Sequence, residues 1–157
     1  MKMLARSQIG VEELDLLPDF VDGEIVHAHI KALLAVKFEP FTKRAHSTMV
    51  CGFRAQIEPE VSWMVDFAVY LGARPEGRFA TAPPFVALEI VSPEDLFSPL
   101  LRRLEDYRQW GVPHIWLVDP QLRRLNEYSE AGLFQFPALR LPGFDFEISA
   151  QELFKDI

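Results

Sequence analysis

The chain has 157 residues, 49% of them apolar, with 16 Lys and Arg against 23 Asp and Glu for a formal charge of −7. That is enough apolar chain for a two- or three-layer core in one domain, and the lone cysteine, Cys51, excludes an internal disulfide and a cysteine-built zinc site. The acidic balance speaks against a surface that coats nucleic acid indiscriminately, because phosphate affinity comes from Lys and Arg, although a local basic lip is invisible in a net charge.

The opening stretch, Met1 to Leu17, carries Glu12, Glu13 and Asp15 and no long apolar run, so neither a signal peptide nor a membrane span is expected there. A single domain over residues 1–157, cytoplasmic and with no membrane contact, is the expectation. A short helix is expected around Val11 to Leu17, then a turn at Pro18, with Val21 to Val26 leading from a turn into an ordered element. Apolar residues at Ile30, Leu33, Leu34, Phe38 and Phe41 repeat at helical spacing and predict an amphipathic helix over His29 to Phe41, ending near Pro40.

The period then changes to that of strands, at Thr48 to Ile57, Ser62 to Tyr70 and Phe85 to Val91, with Gly72 to Pro84 as a loop. Ser98 and Pro99 suit an N-cap and first helical position, and Gly111 suits the residue after a C-cap, so a helix is expected over Pro99 to Trp110. The apolar run His114 to Val118 predicts a buried strand closed by a turn at Asp119 and Pro120, completing a strand, helix, strand unit. A hairpin of Arg123 to Ser129 and Leu133 to Phe136, turning at Glu130 to Gly132, and a helical turn over Ala150 to Lys155 end the chain.

Two carboxylates break this apolar pattern. On alternating strand faces Asp66 sides with Met64, Ala68 and Tyr70, and Glu89 sides with Ala87 and Val91. An ionised acid there is costly unless paired, hydrogen-bonded or set against a cation. A divalent cation answers this, since hard oxygen ligands suit Mg²⁺ or Mn²⁺, but spacing alone favours the plainer answer, a strand end that meets water or a core arginine. No P-loop, dinucleotide fingerprint or nucleophile elbow is present. The four histidines have no partner at ligand spacing and read as structural or surface residues, the three tryptophans as packing residues, and Cys51 as a buried thiol.

Several segments in order, Val21-Asp22-Gly23-Glu24, Asp66, Ala87-Leu88-Glu89-Ile90-Val91-Ser92-Pro93, Tyr107, Gly111-Val112 and Ile115-Trp116-Leu117-Val118-Asp119-Pro120, resemble the Uma-type restriction endonuclease family of the PD-(D/E)XK superfamily, from about Asp19 to Phe154. The resemblance implies an α/β fold with a restriction-endonuclease-like αβββαβ core and a mixed central sheet flanked by helices. It also implies Mg²⁺- or Mn²⁺-dependent cleavage of DNA, with Asp66 and Glu89 as catalytic metal ligands and Glu24 as the first-helix acid that completes the metal site. The superfamily lysine two residues after the glutamate is replaced by Val91, and the family's helical basic residue, four before Tyr107, is Arg103. Arg103 shares a helical face with Leu100 and Tyr107, so it can face the sheet, either to steady a phosphate or to neutralise a buried acid. Arginine cannot act as a base towards water. A non-catalytic binding or assembly module on the same fold is therefore the alternative, and Phe134, Phe136 and Phe144 offer a face for a homodimer.

Overall fold

The computed structural model describes residues 18–157, with side chains from residue 25 onward. The helix expected around Val11 to Leu17 lies outside the described residues. In chain order the elements are α1 (Pro18–Ala45), β1 (Ser47–Glu58), β2 (Val61–Leu71), β3 (Val86–Ile90), α2 (Phe97–Trp110), β4 (His114–Asp119), β5 (Arg124–Ser129), β6 (Gly132–Phe136), β7 (Ala138–Leu141), β8 (Phe146–Ser149) and α3 (Ala150–Leu153). The first six run α, β, β, β, α, β, the order implied by the resemblance.

Six strands form one sheet in the order β1 to β6; β3 and β4 pair in parallel across the α2 crossover, and the other neighbours are antiparallel. The strand period of two sorts side chains to opposite layers. Phe67, Val69, Val86, Leu88, Ile90, Trp116 and Val118 form one core with Ile30, Leu34, Phe38 and Phe41 of α1. On the other face Ala68, Tyr70, Ala87, Ile115 and Leu117 meet Leu100, Leu104 and Tyr107 of α2. The sheet is thus mixed and sandwiched between helices.

The first helix differs from the sequence expectation at both ends. It begins at Pro18 and absorbs the segment expected as a turn, and it continues through Pro40 to Ala45. A mid-helix proline costs about 3 kcal/mol. Phe38 and Phe41 flank it and are 0% and 1% exposed, and burying two such rings is worth roughly 3–6 kcal/mol, which offsets the break. The helix α2 opens two residues before Pro99, with Leu96 at the N-cap and no side-chain cap, so Ser98 is not the cap expected. Pro99 still falls in the first turn, where a missing N–H breaks no intrahelical bond. Gly111 closes the helix at φ 106, a left-handed conformation that favours glycine.

At the surface, Cys51 is exposed rather than buried, on β1, an edge strand of the sheet. A hairpin absent from the sequence expectation, β7 with β8, inserts Leu139, Leu141, Phe146 and Ile148 into the α1 core, with the Phe146 ring stacked on Phe38 at 4.2 Å between centroids. Phe144 packs on Phe41 and Phe85 within the chain, whereas Phe134 and Phe136 are exposed on edge strand β6.

Candidate active site

The β2–β3 ladder pairs Phe67 with Leu88, Ala68 with Ala87 and Val69 with Val86. The next step of that register brings Asp66 opposite Glu89, at the end of β3 where the pairing stops. There the Asp66 Oδ2 accepts the Ile90 backbone N–H at 2.8 Å, a side-chain oxygen replacing a backbone carbonyl. The two acids expected from the sequence pattern are therefore neighbours.

Each acid is gripped from a different helix. From α2, Arg103 Nη1 donates to Glu89 Oε2 at 2.8 Å and the Tyr107 hydroxyl donates to Glu89 Oε1 at 2.6 Å. The helical spacing of Arg103 and Tyr107 produces this, with Leu100 and Leu104 anchoring the same face in the core. Arg103 also lies over the Trp63 ring, 5.4 Å from its centroid, and its Nη2 is 3.7 Å from Asp95 Oδ1. Asp95 is itself fixed by accepting the Ser92 N–H at 2.8 Å, and Trp63 by donating to Asp106 at 2.7 Å. From α1, His27 Nε2 lies 3.2 Å from Asp66 Oδ2 and 2.9 Å from the Ile90 carbonyl oxygen, and Lys31 Nζ lies 3.7 Å from Asp66 Oδ1.

The electrostatics split the pair. Glu89 is 1% exposed, and burial, followed by the Asp66 charge, pushes its carboxyl up to about 8 against the opposing pull of Arg103 and Tyr107. Burial also raises Asp66, but His27, the Ile90 N–H and the Lys31 charge outweigh it and hold Asp66 below the usual range. The His27 imidazole is raised in turn by its hydrogen bond to Asp66, partly offset by burial. At neutral pH one acid is ionised and its neighbour largely keeps its proton, as two carboxylates sharing one site must.

This pair fits a divalent cation. Its donors are hard oxygens, the ligand type such an ion takes. Magnesium keeps several of its waters and takes only one or two protein carboxylates, so two acids suffice. Among the described residues no group of three or more His, Cys, Asp or Glu side chains is placed to hold a metal. Glu24 belongs to α1, and its side chain lies outside the described residues.

His27 and Lys31 were missed by the sequence reading. Their signal was their i, i+4 spacing, beside the buried stripe of Ile30, Leu34 and Phe38, but nothing local says that this flank points at a strand acid. His29 is exposed, His114 lies under Phe85 with its Nδ1 3.8 Å from Glu127, and Asp119 accepts the Leu122 N–H at 3.0 Å as the turn cap expected. Trp116 is fully buried in the α1 core.

A mixed sheet between two helices, with a carboxylate pair at the end of β3, defines a nuclease-like fold. A crystal structure of a putative nuclease belonging to DUF820 from Anabaena variabilis ATCC 29413 matches it with a TM-score of 0.71 at 19% identity, covering 83% of this chain and 80% of that one. The family model Uma2, described as "Putative restriction endonuclease", matches residues 19–145, and the chain belongs to that family. No curated protein matches the chain. Among the described residues no helix is long and apolar enough to cross a membrane.

Proposed function

We propose that the protein is a divalent-metal-dependent endonuclease that hydrolyses phosphodiester bonds of DNA. The carrying observation is the acid pair, two carboxyl groups that the β2–β3 register brings opposite each other. Asp66 and Glu89 would hold Mg²⁺ or Mn²⁺, with Glu24 as the third acid that the family resemblance adds. Such a cation supplies a lowered pKa for bound water and charge stabilisation at the phosphoryl oxygens. In the reaction the oxygen of a water bonds to phosphorus and one phosphorus–oxygen ester bond breaks. One proton passes to the departing sugar oxygen and the other leaves with the new phosphomonoester or to solvent.

The chain's own residues hold this arrangement. Arg103 and Tyr107 fix the Glu89 carboxyl, the Ile90 N–H fixes Asp66, and Arg103 brings a permanent positive charge to the side where the scissile phosphate would lie. A phosphate near two acids needs such help, because like charges about 4 Å apart repel by roughly 4 kcal/mol near a protein surface. For the duplex, a basic recess supports the reading despite the net charge of −7: Arg54, Arg74 and Arg78 line it with Phe79 and a single acid, Glu76, and Arg54 and Arg78 both lie over the Phe79 ring.

The experiment is cleavage of plasmid and single-stranded DNA with Mg²⁺ and Mn²⁺ by the wild type, Glu89→Ala and Arg103→Lys. Metal-dependent nicking that vanishes in Glu89→Ala and persists in Arg103→Lys is the expected result. Inactivity of all three, with a melting temperature indifferent to either metal, refutes the reading. One observation favours a second reading, a non-catalytic module: both carboxylates are already engaged by the chain's own donors. A scaffold of that kind gains no stability from Mn²⁺, whereas a metal enzyme gains about 2.7 kcal/mol at a hundred times its dissociation constant. A homodimer through the exposed Phe134 and Phe136 belongs to the nuclease reading too, and sedimentation of the wild type against Phe134→Ser tests it.

A further inference from the structure

Three cationic side chains reach the acid pair, and they are not equivalent. The Arg103 guanidinium is committed to Glu89, to the neighbourhood of Asp95 and to the face of Trp63. The His27 Nε2 is shared between Asp66 Oδ2 and the Ile90 carbonyl oxygen. Lys31 differs. Its Nζ stands 3.7 Å from Asp66 Oδ1, beyond hydrogen-bond length, and its side chain is the most exposed of the three at 27%, against 20% for Arg103 and 19% for His27.

The surroundings of Lys31 keep it open. It lies one helical turn after His27, so the same flank of α1 carries both towards Asp66. Across from it, β1 offers Gly52, whose missing Cβ would come 3.9 Å from the Lys31 nitrogen; any longer side chain there would crowd the ammonium. Gly52 adopts φ 59, a left-handed conformation that disfavours such side chains. An ammonium with three donors, loosely held beside a carboxylate and facing solvent, is suited to a phosphate oxygen.

We propose that Lys31 contacts the scissile phosphate directly and positions it before the acid pair, while Arg103 positions Glu89 and adds only its charge. The inference rests on the nuclease reading for its consequence in catalysis, and on the site geometry alone for its consequence in binding. Lys31 then contributes to DNA affinity and to turnover, and makes only a small contribution to stability, as expected of a partly exposed ion pair.

The test compares wild type with Lys31→Met, Lys31→Gln and Lys31→Arg in three measurements: anisotropy of a fluorescent DNA duplex without added metal, cleavage rates with Mn²⁺ resolved into kcat and KM, and the Mn²⁺-dependent rise in melting temperature. The expected result is duplex binding weaker by about 10-fold and kcat/KM lower by about 100-fold in Lys31→Met and Lys31→Gln, with most of the binding regained in Lys31→Arg. The Mn²⁺-dependent rise stays intact, because a competing cation has left Asp66. Binding and kcat/KM within about 3-fold of wild type in both neutral variants, whatever the melting temperature does, would overturn the proposal and leave the nuclease reading standing. A wild type that cleaves nothing, yet loses duplex binding in the neutral variants, keeps Lys31 as a phosphate contact and refutes the nuclease. A wild type that cleaves nothing and binds the duplex as its variants do refutes both.

Discussion

Replacing Glu89 by glutamine isolates the cost of placing a second acid beside Asp66. The folded chain holds the Glu89 proton up to about pH 8, whereas an unfolded glutamate releases it near 4.5. Between those values the native state binds a proton that the unfolded state has lost, so stability falls as pH rises. The slope reaches about 1.4 kcal/mol per pH unit, and over a span of roughly 3.5 units the loss is about 5 kcal/mol. Glutamine keeps the size and a carbonyl acceptor for Tyr107 but has no proton to lose. The stability of Glu89→Gln relative to wild type should therefore grow by about 5 kcal/mol from pH 4.5 to pH 8.5, whatever constant offset the amide introduces. Urea unfolding of both proteins at half-unit pH steps measures this, and most other titrations cancel in the difference. A difference flat to about 1 kcal/mol would refute the reasoning. One of opposite sign would mean that the Arg103 ion pair outweighs burial and the Asp66 charge.

Asp66→Asn removes the acid whose lowered pKa stabilises the fold above its unfolded titration, so the variant should lose the wild type's decline in stability as pH falls below about 4, read by acid unfolding. It should also bring the Glu89 titration down, since the Asp66 charge is one of its causes. Tyr107→Phe deletes the 2.6 Å bond to Glu89 and leaves a buried acceptor short of a donor, a loss of about 1–3 kcal/mol in urea. The same change should move the Glu89 titration further up, because the tyrosine hydrogen bond opposes the shift. Phe38→Ala opens the α1 core where Phe67, Trp116 and Phe146 meet, and should cost about 3–5 kcal/mol by thermal or urea unfolding.

Much of this fold was legible because its elements obey simple periods. The alternation along Ser62 to Tyr70 and the apolar run His114 to Val118 gave strands, and Gly111 gave the end of α2. The first helix was misjudged because Pro18 reads as a turn but opens the helix, where proline is favoured, and because Pro40 is a local breaker that the burial of Phe38 and Phe41 offsets. The hairpin of β7 and β8 was missed because its strands are four residues each, too short for a period to register. In the site, Asp66 and Glu89 stood out as acids within apolar strands, and Arg103 and Tyr107 came from the family resemblance, with helical spacing placing them on one face. His27 and Lys31 belong to a helix far away in sequence, and their relation to Asp66 exists only once α1 lies across the sheet.

A cation at the acid pair, as the proposed nuclease requires, would answer a question that none of these contacts answers. Each hydrogen bond around the pair is accounted for by a structural role: Tyr107 holds Glu89, the Ile90 N–H holds Asp66, and Asp95 orients Arg103. What those roles leave unexplained is why two carboxyl groups meet at all. An amide at position 89 would keep an acceptor for Tyr107 and Arg103 without a native state that weakens as pH rises through neutrality. In the proposed nuclease Asp66 and Glu89 would hold a divalent ion, whose charge would favour the ionised form of both acids and so the loss of the Glu89 proton. Cation affinity should accordingly rise with pH up to about 8, in step with the loss of that proton, and should become nearly independent of pH in Glu89→Gln, where the amide has none to release.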